Sequence, residues 1–368
     1  MRALAISADG TRAVSGSFDT AAIRWSLERN AAEQVLRFHD GAVNAVAILK
    51  DGRIVTAGED ARIAISKPGE PQPSAVLTGH SAPIVALAVS PDGTVLASAS
   101  WDHTARLWPL AGGTPRVIEG HGQNVNGVAF TPDGRALVTA GYDATLRITP
   151  LAGGKVYLLS ASGEQKGEID AAQTPIISIA ISGDGKLIAA AGMRGSVAII
   201  DRASRRLERT LVGAGLPVWS VAFFPDNRTL LTGGTDRVIR RWDALAGEPI
   251  GNVIAGAPED PLAPYAGDPG AEVFRACVAC HTLKSDEGMR AGPTLAGIFG
   301  RKIATLPGYN FSPALKKLDI VWTPETVSKL FELGPMTYTP GTKMPEQRIG
   351  SSEDRTALVK FLERATKK

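Results

Sequence analysis

The residues best equipped for chemistry stand five in a row: Cys277, Val278, Ala279, Cys280 and His281. Two thiols three residues apart on a helical turn point the same way. They can add to the two vinyl groups of a single haem, and the imidazole that follows can present a ring nitrogen to its iron. C-x-x-C-H is the spacing of c-type haem attachment. Paired thiols have two other uses. A thioredoxin-like redox pair needs a βαβ context, and half a zinc site needs further ligands from elsewhere in the chain. With 2 cysteines in 368 residues, no disulfide framework beyond this pair is available. Of the 5 histidines, His39, His80, His103, His121 and His281, only the last lies beside the thiols.

The segments around this pentapeptide carry helical periodicity. Asp268-Pro269-Gly270 leads into a short helix expected from Ala271 to Ala279. Thr323 caps a helix from Pro324 to Leu333, with Pro at its first position and Val327, Leu330 and Phe331 on one face. A last helix, Ser352 to Ala365, places Leu358, Phe361 and Leu362 together. Residues 268–368 are thus expected to form a small all-helical domain. The Pro-rich stretch 255–267, including Ala257-Pro258-Glu259-Asp260-Pro261-Leu262-Ala263-Pro264, reads as its linker.

This helical segment resembles class I cytochrome c over residues 267–368. The likeness is carried by Gly292-Pro293-Thr294-Leu295-Ala296-Gly297-Ile298-Phe299-Gly300-Arg301-Lys302, by Pro307-Gly308-Tyr309, by Trp322 and by Tyr338-Thr339-Pro340-Gly341-Thr342-Lys343-Met344. The resemblance implies that Cys277 and Cys280 hold one covalent haem c through thioethers. It makes His281 the proximal ligand and Met344 the distal ligand of the iron, and the Pro293 carbonyl the acceptor from the second His281 nitrogen. Arg301, Tyr309, Trp322 and Thr342 match positions around the haem propionates. Met336 is expected to be filler or surface, and Met289 lies only eight residues from His281, on the proximal side. His/Met ligation raises a haem potential. Phe311, Leu315 and Phe331 stand where the mitochondrial type carries a Tyr, an Asn and a Tyr, so the distal network is expected to be poorer in hydrogen bonds. Lys284, Lys302, Lys316, Lys317 and Lys343 fall in segments that ring the haem edge in this family. They could steer an acidic redox partner.

Residues 1–254 carry a different pattern, a repeat. Asp9-Gly10, Asp51-Gly52, Asp92-Gly93, Asp133-Gly134, Asp184-Gly185 and Asp226-Asn227 are spaced 42, 41, 41, 51 and 42 residues apart, each between two apolar runs. A third strand and a more polar fourth complete each cycle, so six four-stranded blades of a β-propeller are visible. Gly79-His80, Gly120-His121 and Trp242-Asp243 resemble the WD-repeat family, in which His, Ser/Thr, Asp and Trp form a buried relay within a blade. The third cycle holds all four, His80, Ser98, Asp102 and Trp108. The first keeps Ser15, Asp19 and Trp25; the second His39, Thr56 and Asp60; the fourth His121, Thr139 and Asp143; the sixth Thr232, Asp236 and Trp242. The fifth has Arg194 where Asp is expected. These histidines recur at fixed phase, one to a blade, and read as structural. His103 is off-phase and reads as solvent-facing. Ser160 to Ile169 makes the fourth cycle longer by a polar loop. Because such rings commonly hold seven blades, and the first His position falls before residue 1, the native polypeptide is expected to extend upstream. The missing part would carry ring-closing strands and the export signal that Met1 to Gly10 do not show.

Composition narrows the function. The net charge of +3, with 15 Lys/Arg against 11 Asp/Glu over 266–368, gives no nucleic-acid footprint. No apolar run reaches the roughly 18 to 20 residues of a membrane span. The expected protein is therefore a multidomain chain, an all-β propeller followed by an all-α cytochrome domain. It would carry one electron through a coordinatively saturated haem, with the propeller as docking scaffold for an oxidase, reductase or dehydrogenase, and it reads as an electron-transfer protein rather than an enzyme. Two alternatives stay open: an oxidoreductase whose propeller holds a substrate or cofactor site, and a haem-based gas or redox sensor. Haem attachment of this kind occurs outside the bacterial cytoplasmic membrane or in the mitochondrial intermembrane space, and fusion with a propeller looks bacterial, so a periplasmic location is expected.

Overall fold

The computed structural model describes residues 2–160, 174–212, 216–236, 238–251, 260–287, 292–309, 311–342, 344 and 347–367. The loop expected over 161–169, Met289 and Lys343 lie outside them. The chain divides into two compact units, Met1–Gly256 and Ala257–Lys368.

The first unit is built from antiparallel sheets whose strands follow chain order. Sheets 1 to 5 have four strands each. The sixth has three strands among the described residues, and its fourth place is begun by a bridge from Trp242 to Pro249. Innermost strands are Ala3–Ile6, Val43–Ile48, Ile84–Val89, Val125–Phe130, Ile176–Ile181 and Val218–Phe223. Sheets 2 to 5 are each covered on both faces by their neighbours, so their inner strands are almost continuously apolar instead of alternating. Val55, Ile63 and Ile65 of sheet 2 pack on Ile84, Leu96 and Trp108 of sheet 3, and the pattern repeats from sheet to sheet.

The expected tight turns are present. In five of them the glycine takes a left-handed φ between 66° and 84°. In the sixth, Asn227 takes φ 59°, a conformation that Asn tolerates better than other side-chain-bearing residues. The Asp before each folds back to accept a backbone N–H two residues on, as Asp92 does from Thr94 at 3.0 Å.

The relay histidines are structural, as their phase predicts. In sheet 3, His80 contacts Asp102 through Nδ1 at 2.6 Å and Ser98 through Nε2 at 2.7 Å, and Trp108 Nε1–H donates to Ser98 Oγ at 2.8 Å. His39 joins Asp60 to Thr56, and His121 joins Asp143 to Thr139, in the same way. His103 is exposed, in a turn at φ 71°. In sheet 6, Asp236 is met instead by Arg240. Burial alone would push the Asp102 carboxyl up, but hydrogen bonds from His80 and Thr104 outweigh it and hold the group well below the usual range. Asp60 and Asp143 are depressed by similar partners. A depressed carboxyl stabilises the fold above its unfolded pKa, about 3.9, and that contribution is lost as pH falls through the folded value. Acid titration followed by circular dichroism should therefore show the sheets holding to about pH 4 and weakening below it. Asp102→Ala, which strands His80 Nδ1, should cost roughly 2–4 kcal/mol at neutral pH and flatten that acid limb. Unchanged thermal unfolding would refute the relay's contribution.

The second unit is helical: α1 (Pro269–Phe274), α2 (Pro313–Lys316), α3 (Pro324–Leu333), α4 (Pro335–Tyr338) and α5 (Ser352–Ala365). Thr323 caps α3 and exchanges hydrogen bonds with Thr326, and Ser351 caps α5. The helix expected from Ala271 to Ala279 is two pieces. α1 stops at Phe274, and a tighter 3-10 turn, Cys277–Ala279, follows. The core is the crossing of α1 and α5, where Phe274 packs on Phe361 with centroids 5.5 Å apart. The stretch read as linker is not one throughout. Leu262 is buried, Tyr265 stacks edge-on against Phe361 at 5.1 Å, and Asp260 pairs with Arg275 at 2.9 Å. Two apolar side chains in a Pro-rich setting are enough to seat residues 260–266 on the helices.

Candidate haem-binding site

The 3-10 turn sets the geometry of the site. Both the Cys280 and His281 N–H groups reach the Cys277 carbonyl, at 3.1 and 2.9 Å. This winds the two thiols and the imidazole onto adjacent turns. Cys277 is buried and Cys280 half-buried. Burial, then the neighbouring Cys280, pushes the Cys277 thiol up to about 12.

His281 is held from two sides. Its Nδ1 lies 2.8 Å from the Pro293 carbonyl. A carbonyl can only accept, so Nδ1 carries the proton and Nε2 is left as the ligating nitrogen. Gly292 lies against the ring. A Cβ there would stand 2.5 Å from His281 Cε1, so only glycine lets the backbone come this close. Sequence reasoning did not single out Gly292 for this; its place directly before Pro293 was the available signal. Burial lowers the His281 pKa, against the opposing pull of the Pro293 carbonyl. Thr294 Oγ1 fastens the loop to the Thr282 and Lys284 carbonyls, each at 3.3 Å.

The other expected residues fall into small groups. Arg301 and Trp322 are joined through the backbone, with Trp322 N–H donating to the Arg301 carbonyl at 3.0 Å. The Arg301 guanidinium donates to the Thr294 and Ala296 carbonyls, and burial lowers its pKa. Tyr309 packs on Phe311 at 4.7 Å. Thr342 Oγ1 accepts from the Met344 N–H at 3.1 Å and so shapes the turn that carries the thioether. Gly341 makes that turn possible: its φ is 79°, and a Cβ there would meet Ala314 at 2.4 Å. Leu315 and Phe331 are buried, Phe311 is half-buried, and Met336 is exposed. Lys284, Lys302, Lys316 and Lys317 are exposed, but Lys302 is paired with Asp319 at 2.7 Å. Among the described residues no group of three or more His, Cys, Asp or Glu has metal-holding geometry. The donor set, two thiols on one turn beside an imidazole with a free Nε2, fits haem c.

Comparison with known proteins agrees with both halves of this reading. The family "WD domain, G-beta repeat" matches residues 31–65, 71–109, 112–149 and 205–243, and the family "Cytochrome c" matches residues 267–366. The cytochrome c of Cochliobolus lunatus is 42% identical over 99 residues, which are 27% of this chain and 91% of that protein. The cytochrome c of Arabidopsis thaliana is 42% identical over 99 residues, 27% of this chain and 88% of that protein. Cytochrome c type-1 of Ascaris suum is 41% identical over 114 residues, 30% of this chain and 96% of its own length.

Proposed function

Since residues 267–366 make the chain a member of the cytochrome c family, with WD40 repeats ahead of them, we propose that it carries single electrons through a His281/Met344-ligated haem c, and that the repeats serve as a docking scaffold for its redox partner. The covalent c-type haem and its iron follow from membership of the family. When bound, that group supplies a one-electron iron couple. The observation that carries the reading is the Nδ1–H of His281 donating to Pro293, which leaves Nε2 for the metal.

The chain's own residues set the conditions. Cys277 and Cys280 fix the macrocycle in place, and Gly292 and Pro293 fix the imidazole plane. Thr342 orients the Met344 turn. Phe311, Leu315 and Phe331 would exclude water from the Met344 side of the bound group without offering hydrogen bonds there. Arg301, Tyr309 and Trp322 would neutralise or shield the propionates of the bound group. Lys284 would contribute to a partner-facing rim, and Lys302 less, because Asp319 answers its charge. WD40 repeats point to protein contacts. Among the described residues no helix is long and apolar enough to cross a membrane. The chemistry of haem attachment, together with the propeller fusion, supports a periplasmic location.

The test is a pyridine haemochrome spectrum of exported protein, with a reduced-minus-oxidised scan and a carbon monoxide titration. Covalent haem, a near-infrared sulfur-to-iron band and no carbon monoxide binding are expected. Met344→Ala should abolish the band, open the iron to carbon monoxide and lower the potential by on the order of 0.1 V or more, within the roughly 0.8 V that axial ligands command. Ready carbon monoxide binding by the unaltered protein would instead favour a sensor, and dye-linked turnover of an alcohol or amine would favour an oxidoreductase.

A further inference from the structure

Met344 is carried on a turn whose own hydrogen bonds are local. Thr342 N–H donates to the Thr339 carbonyl at 3.0 Å, and Met344 N–H donates to Thr342 Oγ1 at 3.1 Å. Bonds of this kind give a turn its shape and leave its position to whatever packs against it. On one side that is α4, where the buried Thr339 hydroxyl donates to the Pro335 carbonyl at 2.8 Å. On the other side it is the first turn of α2, where Gly341 lies directly against Ala314.

One hydroxyl bridges this second contact. Ser312 Oγ–H donates to the Gly341 carbonyl at 2.7 Å, the preferred separation for O–H···O. The same oxygen accepts the Leu315 N–H at 3.2 Å and so caps α2. A serine hydroxyl has one proton to give and two lone pairs to receive, so it can hold both partners at once. Between Phe311 and Leu315, Ser312 is the only residue with a polar side chain. Phe311 and Leu315 themselves offer the turn no hydrogen bond.

We propose that Ser312 is a positioning residue for the distal ligand: its hydroxyl latches the turn that carries Met344 to α2 and sets how often the thioether swings away. This rests on the Met344 ligation proposed above and extends it to a side chain outside the ligand set. Releasing the latch removes one hydrogen bond from the closed turn. A bond of ordinary net strength corresponds to a roughly two- to tenfold change in the fraction of molecules with the turn open.

The experiment titrates imidazole into the oxidised holoprotein and follows the near-infrared sulfur-to-iron band. Imidazole binds only while the thioether is away, so its apparent affinity reports the open fraction. Ser312→Gly removes the hydroxyl at little cost to the helix cap. It should raise the imidazole affinity roughly two- to tenfold, and Ser312→Ala should raise it as well. Ser312→Thr keeps a hydroxyl and should return the affinity to that of the unaltered protein. Ser351→Ala removes the equivalent cap of α5, so it should lower the melting temperature and leave imidazole affinity unchanged. Equal affinity in Ser312→Gly, Ser312→Ala and the unaltered protein overturns the latch. An increase in Ser351→Ala as large as in Ser312→Gly overturns it too, because stability alone would then account for the effect. An unaltered protein without the sulfur band removes the ligation and the latch together, whereas a band that is present but indifferent to Ser312 removes the latch alone.

Discussion

Replacing Cys277 and Cys280 together by alanine should yield protein with no covalently attached haem. The two sulfurs lie on one 3-10 turn, and the chain holds no other cysteine that could substitute for either. The intact mass should fall by the weight of the macrocycle beyond the two lost sulfurs, and a denaturing gel stained for haem should be blank. Each single replacement should leave one thioether and a shifted haemochrome band. Any haem that loads the double variant without thioether bonds would, on the ligation proposed above, be held by His281 and Met344 alone, and it should leave on acid–acetone extraction. Haem that resists extraction from the double variant would mean that the attachment chemistry resides elsewhere.

The second large effect concerns a residue that touches no ligand. Gly270 sits in α1 where that helix crosses α5. A Cβ there would lie 2.2 Å from the Ala357 carbonyl oxygen and 2.5 Å from Phe361 Cβ. Helix propensity favours alanine over glycine by about 1 kcal/mol. Overpacking usually costs 1–3 kcal/mol, occasionally more, and here the obstacle is backbone, which cannot rotate aside. The clash wins. Gly270→Ala should destabilise the helical unit by about 2 kcal/mol net, a fall in melting temperature on the order of 10 °C for about one hundred residues. The shift of the haem Soret band on heating is the measurement. A melting temperature unchanged or raised would show that propensity decides and that the crossing relaxes.

Much of this architecture is written in local spacing. The Asp-Gly turns and the set His80, Ser98, Asp102 and Trp108 recur at fixed intervals because each sheet must satisfy its own buried polar groups. Periodicity therefore exposes the strands, the turns and the role of the histidines together. The haem pentapeptide and the Thr323 cap are equally local. What escaped were arrangements that no recurring spacing encodes, one between residues four apart and the others between segments separated along the chain. Arg240 takes up Asp236 in sheet 6, which no repeat position foretells. Asp319 neutralises Lys302, so a lysine count overstates the basic rim. The Gly292 contact with His281 depends on a loop returning eleven residues later. Residues 260–266 look like pure linker by composition, because proline content conceals the two side chains, Leu262 and Tyr265, that seat them.

That seating bears on how the helical unit withstands mechanical load. A pull travelling down the polypeptide from the repeats meets Leu262 in its socket, Tyr265 wedged on Phe361 and the Asp260–Arg275 clasp before it reaches α1. The turn holding the two sulfurs lies beyond all three. The chain is thus belayed upstream of its redox centre, and tugging or thermal agitation of the tether is absorbed at the edge of the unit before it can tilt His281.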